Sequence, residues 1–292
     1  MATLRDIRRK ITSVKKTQQI TKAMKMVAAA KLRRAQMRIT QIRPYAETLS
    51  TMLSNVASKV DHSLNRFLQE VPVKKVCVVV IAADRGLCGS FNANVLRRGK
   101  AEIDKLIADG KNVTLVTVGK KAFEFFSKRD YAVDHKLRNF FNNLSFEHAL
   151  DISDHVRTQF LENDCGQVLL VYTKAESAVK QQVLVEQLLP IQPQEVDRQG
   201  ENYEYIFEPA PEVILDTLCP KSVNIRIWQA LAESYFGEEG ARMMAMDNAT
   251  EQRFVRRRSE ERAGRTMARV TPRSSLRALV DRPHALAASR GR

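Results

Sequence analysis

Val76-Cys77-Val78-Val79-Val80-Ile81 is a continuously apolar, β-branched run, and it leads into the turn Asp84-Arg85-Gly86-Leu87-Cys88-Gly89-Ser90-Phe91-Asn92. An unbroken run of this kind suits a central parallel strand covered on both faces, because a half-solvated strand would alternate. Outward from it, a helix is expected from about Asn94 to Ala108 and a second strand at Val113–Val118. Further helices follow around Lys120–Lys128 and Phe146–Glu162, and a third strand at Gln167–Tyr172. Strands alternating with helices predict right-handed βαβ crossovers and a Rossmann-like α/β domain. Val179–Leu189 and Tyr203–Phe207 read as added antiparallel strands, joined by the polar stretch Pro190–Gly200.

The flanks have a different period. Steps of four and three from Ile7 land on Ile11, Val14, Gln18, Thr21, Lys25, Ala28, Leu32, Ala35, Ile39, Ile42, Ala46, Leu49, Leu53, Val56 and Val60; thirteen of these sixteen positions are apolar. A sustained 3.5-residue repeat is a coiled-coil seam. Near Gln18, Thr21 and Lys25 the apolar set is expected to move to Ile20, Met24 and Val27, and Pro44 to bend the helix for want of an N–H donor. At 1.5 Å per residue, a helix of ~60 residues would measure ~90 Å, longer than a globular domain of this mass is wide, so part must protrude or be sheathed. A second long helix is expected from about Val223, with Ile225, Trp228, Ala232, Phe236, Met243 and Met246 on the side that meets the first. The organisation is therefore a helix over 1–68, an α/β domain over 74–210, a helix over 211–250 and a tail over 251–292.

Charge divides the same way. Residues 1–43 carry 13 Lys and Arg against Asp6 alone, and residues 251–292 carry 12 Arg and no Lys against four acids. With +12 and +8 at the ends and +15 in all, the 207 residues between hold a net −5. Hydrophobic content of 44% and mean hydropathy of −0.33 are ordinary for a soluble chain, and no apolar run approaches the ~20 residues that span a bilayer. Four dispersed cysteines without a CxxC pair argue for a reducing compartment, against zinc and against a disulfide framework.

Motifs for chemistry are absent. The turn after the first strand has Gly86 and Gly89 but neither the GxGxxG nor the GxxxxGK[ST] spacing that brings backbone amides onto a phosphate. The five histidines form no HExxH, and His148 and His155 read as solvated helix surface. The methionines Met24, Met26, Met243, Met244 and Met246 read either as an adaptable binding surface or as coiled-coil core.

Ile20-Thr21-Lys22-Ala23-Met24-Lys25-Met26-Val27-Ala28-Ala29-Ala30-Lys31-Leu32 resembles the N-terminal signature of the gamma-subunit family of rotary, F-type ATP synthases. Asp84–Asn92, Tyr205-Ile206-Phe207-Glu208-Pro209, and Glu233-Ser234 through Ala241–Thr250 match that family in the same order. The resemblance implies that the N- and C-terminal helices form an antiparallel coiled coil inside a ring of alpha and beta subunits. The Rossmann-like α/β domain would sit below, on the membrane c-ring beside epsilon, with delta also in the complex. It implies a central-stalk rotor that couples proton-driven rotation of the c-ring to conformational cycling of the beta subunits, itself non-catalytic and without a cofactor or metal. It further implies a peripheral location on the cytoplasmic face of a bacterial inner membrane. By the same resemblance Arg8, Arg9, Lys10, Met24 and Arg242 fall to the alpha/beta ring and its acidic loops, and Tyr205 and Glu208 to the c-ring and epsilon. For each charge the plainer reading is a solvated helix face.

After Thr250 the chain leaves the family pattern. Before residue 251 the basic residues are 19 Lys and 17 Arg; from there on they are all Arg, and Pro272 and Pro283 interrupt what should be helix. A shifted reading frame would give such a tail, with the helix ending near Thr250 and Ile7, Ile11 and Val14 left without a mate; a genuine basic tail is the alternative. Two other classes compete for the whole chain. A basic nucleic-acid-binding protein with a Rossmann-like domain would account for the pI of 9.8, but the basic helix has no interleaved aromatics. A dinucleotide-dependent enzyme would account for the α/β body, but its fingerprint is missing.

Overall fold

The structure is a computed structural model and describes residues 4–129, 131–178, 180–192 and 207–270. It divides into two units, residues 24–246 and residues 1–23 with 247–292. Two long helices contribute to both: α1 (Leu4–Ala57) and α5 (Pro211–Val270).

The larger unit is built on five strands, β1 (Lys75–Ile81), β2 (Asn112–Val118), β3 (Val133–Leu137), β4 (Gln167–Ala175) and β5 (Gln181–Leu189), in the order β3-β2-β1-β4-β5. β1 pairs in parallel with β2 and β4, β2 in parallel with β3, and β5 closes the other edge antiparallel to β4. Val76, Val78 and Val80 turn to one face, where α2 (Phe91–Ala108) and α3 (Lys120–Ser127) cover them with Val95, Ile103, Ala122 and Phe126. Cys77, Val79 and Ile81 turn to the other, against Ile152, Val156 and Phe160 of α4 (Phe146–Leu161) and the two long helices. Both faces of β1 are dry, which is why its sequence does not alternate.

Three boundaries differ from the sequence reading. β3 is an additional strand: Val133-Asp134-His135-Lys136-Leu137 lies on the sheet edge with every second side chain exposed, so it lacks the apolar run that marks a central strand. α5 begins at Pro211, the expected start of the segment 211–250 but twelve residues before Val223, from which its helical pattern is legible; proline suits the first helical position, and Leu215, Cys219, Val223 and Ile227 line up along one buried stripe through Pro220. The helix also runs on to Val270, past the expected end near Thr250. The stretch 251–270 is rich in Arg and Glu, carries no proline, and is stapled by Arg256–Glu260 and Arg257–Glu261 at 3.4 Å each. Pro44, expected to bend α1, lies within it, and the helix continues through it. The expected strand at Tyr203–Phe207, the connection after Gln192 and both tail prolines lie almost wholly outside the described residues.

The α1 seam keeps its register throughout. In the larger unit Ala28, Ala35, Ile39, Leu49, Leu53 and Val56 are buried, and in the smaller unit Ile7, Val14 and Thr21 are. The expected sideways move of the apolar set does not occur: Ile20 and Val27 are each 58% exposed, whereas Thr21 is buried and Gln18 and Lys25 half-buried. Polar pairing holds the seam there. Thr250 Oγ1 donates to Thr21 Oγ1 at 2.7 Å, Thr21 Oγ1 to the Gln18 carbonyl at 3.1 Å, and an Arg257 Nη1 proton reaches Gln18 Oε1 at 3.4 Å. Ile7 and Val14 are thus covered rather than left to fray, while Phe254 and Val255 stay exposed.

Candidate interaction site

A doubly wound sheet binds ligands at the carboxyl ends of its strands, where the order reverses; here that is between β1 and β4. The turn following β1 is braced by side chains. The Asp84 carboxylate accepts from the backbone N–H groups of Lys120 (2.9 Å), Asn139 (2.8 Å) and Phe141 (3.1 Å). Asn92 Oδ1 accepts from Ala83 N at 2.9 Å and its amide nitrogen donates to the Arg85 carbonyl at 3.1 Å. These bonds hold Leu87 at φ +63°, a left-handed conformation that a leucine adopts only when its surroundings impose it, with the side chain exposed.

The crest itself is filled by α5. From Ala230 to Gly240 every residue of that helix is buried. A β-carbon at Gly237 would lie 3.3 Å from the side chains of Phe91 and Thr173, and one at Gly240 would lie 3.0 Å from the Ala178 carbonyl oxygen in the turn between β4 and β5, so the helix approaches both too closely for a larger residue. Ser234 Oγ accepts from Thr173 N at 3.3 Å, and Gln181 Nε2 donates to the Gly237 carbonyl at 2.8 Å. A phosphate-binding crevice is replaced by helix packing.

Three carboxylates go into this interior with the helix. Arg242, 9% exposed, donates to Glu238 Oε1 at 2.5 Å, to Glu239 Oε1 at 2.7 Å and to the Gly86 carbonyl at 3.4 Å. From α1, Arg43 reaches Glu233 at 3.4 Å and the Ala175 carbonyl at 3.5 Å, and Lys31 approaches Glu239 at 3.8 Å. One oxygen of each of Glu233, Glu238 and Glu239 is buried without a hydrogen-bond partner among the described residues. Burial pushes the Glu238 carboxyl up to about 7, against the pull of Arg242. Burial works against the Arg242 charge, yet Glu238 and Glu239 carry its pKa above the usual arginine value, and burial raises the Cys88 thiol in the adjoining turn.

The residues singled out from sequence are distributed as follows. Arg8, Arg9 and Lys10 are exposed on α1 in the smaller unit; in the larger, Met24 is half-buried, Glu208 exposed, and Arg242 enclosed with its own carboxylates. Tyr205 lies outside the described residues. Sequence reading missed Glu233, Glu238, Glu239, Lys31 and Arg43 as a group; the available signal was three acids and two glycines within the ten residues Leu231–Gly240. The histidines are more engaged than a solvated surface suggests. His148 closes a capping box with Ser145, and His155 bonds Asp134 at 2.7 Å while stacking on His135 at 4.5 Å. No cluster of ligating side chains fit for a metal occurs among the described residues, and no described helix is long and apolar enough to cross a membrane.

Comparison with known proteins bears on this arrangement. The family described as ATP synthase matches residues 3–253. An ATP synthase gamma chain of Chlorobaculum parvum is 45% identical over 255 residues, 86% of this chain and 87% of that protein. That of Chloroherpeton thalassium is 41% identical over 265 residues with the same shares. Among solved structures, the central stalk and c-ring of the Tetrahymena thermophila mitochondrial ATP synthase is similar at TM-score 0.60 and 27% identity, over 79% of this chain and 99% of that one. The Euglena gracilis mitochondrial ATP synthase rotor shares the fold at TM-score 0.59 and 18% identity, over 91% and 97%.

Proposed function

Because the chain belongs to the ATP synthase gamma-chain family, it is the non-catalytic central-stalk subunit of an F-type ATP synthase, and we propose how its parts serve that role. α1 and α5 act as an antiparallel coiled-coil shaft within a ring of alpha and beta subunits, and the α/β body rests on the c-ring beside epsilon, with delta in the same complex. The observation that carries this reading is the pairing of the two helices through Arg43–Glu233 and Lys31–Glu239, where rising numbers on one meet falling numbers on the other. Rotation of the c-ring turns the body, the body turns the shaft, and the shaft drives the catalytic beta subunits through their conformations.

A shaft turning in a sleeve needs an outer face that attracts without interlocking. The +12 of residues 1–43 sits largely on exposed positions, and long-range attraction to acidic loops gives an angle-dependent force that salt weakens. Arg8, Arg9 and Lys10 of the smaller unit and Met24 of the larger serve the alpha/beta ring, while Tyr205 and Glu208 serve the c-ring and epsilon; Arg242, expected at the ring, is instead turned inward onto Glu238 and Glu239. The complex lies on the cytoplasmic face of a bacterial inner membrane. A nucleic-acid-binding role gains no support from the relatives. Co-expression with alpha and beta subunits tests the assignment: an assembled, ATP-hydrolysing complex that contains this chain is expected, and a chain recovered alone counts against it.

The tail is read as out of frame. The family match ends at Arg253, near the point where Lys gives way to Arg. Resequencing the locus should reveal a single-base shift that restores a Lys-containing helix; an intact frame refutes it.

A further inference from the structure

We infer that the contact between residues 233–242 of α5 and the crest of the sheet is a torsional joint, with Arg242 as its positioning residue, that keeps shaft and α/β body turning as one. The inference rests on the rotor reading above and adds the place where twist crosses from one part to the other.

Apolar packing resists separation but lets surfaces slide, because one well-buried arrangement is worth about as much as its neighbour. Directional bonds to charged groups fix register instead. On the body side α5 is tied at three positions, Ser234 to the end of β4, Gly237 to Gln181 of β5, and Arg242 to Gly86 in the turn after β1. At 100° per residue these ties fan over roughly 140° of the helix circumference. On the opposite side Glu233 and Glu239 meet Arg43 and Lys31 of α1. The helix is therefore gripped from both sides and cannot roll without breaking charged contacts. Gly237 lets the helix backbone press directly on the side chains of Phe91 and Thr173, and Gly240 lets it press on the backbone of Ala178 in the turn between β4 and β5, which shortens the lever through which a torque could bend side chains.

Arg242 holds the arrangement together. Its two bonds, to carboxylates three and four residues back on its own helix, lock the rotamer that aims Nη2 at the Gly86 carbonyl. Gly86 belongs to the turn that Asp84 and Asn92 brace, so the guanidinium connects the helix to a loop held by side-chain hydrogen bonds.

The test uses complete ATP synthase in sealed vesicles, reading ion pumping per ATP hydrolysed. A near-isosteric neutral variant, Glu238→Gln with Glu239→Gln and Arg242→Gln, removes the three charges of the cluster together and leaves only the half-buried Lys31 of α1 facing an amide in place of a carboxylate. It is expected to assemble and to lose most of its pumping per ATP. Ala175→Cys with Gly237→Cys then provides a rescue, since their β-carbons would lie 3.7 Å apart, within disulfide range. In the neutral variant oxidation should restore pumping and a reductant abolish it again, which a merely folding-related defect would not do. Pumping per ATP unchanged by the triple substitution, or a loss that the closed disulfide does not repair, overturns the joint. The cysteine pair in an otherwise native complex gives a second arm that does not depend on the triple variant folding. Closing the disulfide should leave coupling intact, and coupling lost on closure would mean that α5 must move against the body. A native chain that neither assembles nor supports pumping overturns the rotor reading and the joint with it.

Discussion

Replacing Glu238 by Gln should change how the stability of the larger unit depends on pH. In the folded chain burial holds this carboxyl at about 7, against an ordinary value of 4.5. The folded state thus keeps the proton to higher pH than the unfolded one. Its stabilising contribution is complete below about 4.5 and is lost as pH rises through about 7. Each pKa unit is worth about 1.4 kcal/mol, so between pH 5 and pH 8 the native chain should lose about 2–3 kcal/mol relative to the glutamine variant, which has no proton to release. The lone tryptophan, Trp228, lies half-buried edge-on to Phe146 in the same unit and gives a fluorescence signal for urea unfolding. The expected result is a stability difference that moves in favour of Glu238→Gln as pH rises, at constant m-value. A difference that is flat across this range, or that favours the native chain at pH 8, would refute the placement of an ionisable carboxylate in a dry joint.

Ile39→Ala should cost about 2–5 kcal/mol, since Ile39 is sealed in the core shared by α1 and α5, and Ile39→Asp should block assembly where the half-buried Ile11→Asp weakens it less; urea melts and yield of complex compare them. Gly119→Ala should prevent folding, because its β-carbon would fall 1.9 Å from the Ala82 carbonyl oxygen at φ +93°, and soluble expression with circular dichroism reads this directly. The isolated chain should hydrolyse no ATP above background in a coupled assay, as it carries no phosphate loop and α5 occupies the crest of the sheet. Binding to an alpha/beta ring should weaken as salt rises from 50 to 500 mM, and sedimentation of the complex at both concentrations measures it.

What the sequence determined by itself was local and periodic. The run Val76–Ile81 announced a doubly covered strand because chemistry at every position was the same, and the 3.5-residue repeat from Ile7 to Val60 located the buried seam of α1 even through Gln18, Thr21 and Lys25, where composition pointed to another face. Four spaced motifs carried the family. β3 stayed hidden because an edge strand is half solvated and its residues are chosen for charge as much as for packing. The continuation of α5 to Val270 was obscured by composition, since a switch to arginine says nothing against helix while ion pairs at four-residue spacing support it. Arg242 is the sharpest case. Its type and spacing suit a solvated face reaching for a partner, yet the structure turns it inward onto Glu238 and Glu239. Only tertiary structure could decide that, because whether a charge faces water or another charge depends on which surface the rest of the chain folds over it. Here that surface is the crest of a sheet whose strands lie some 60 to 170 residues away in sequence.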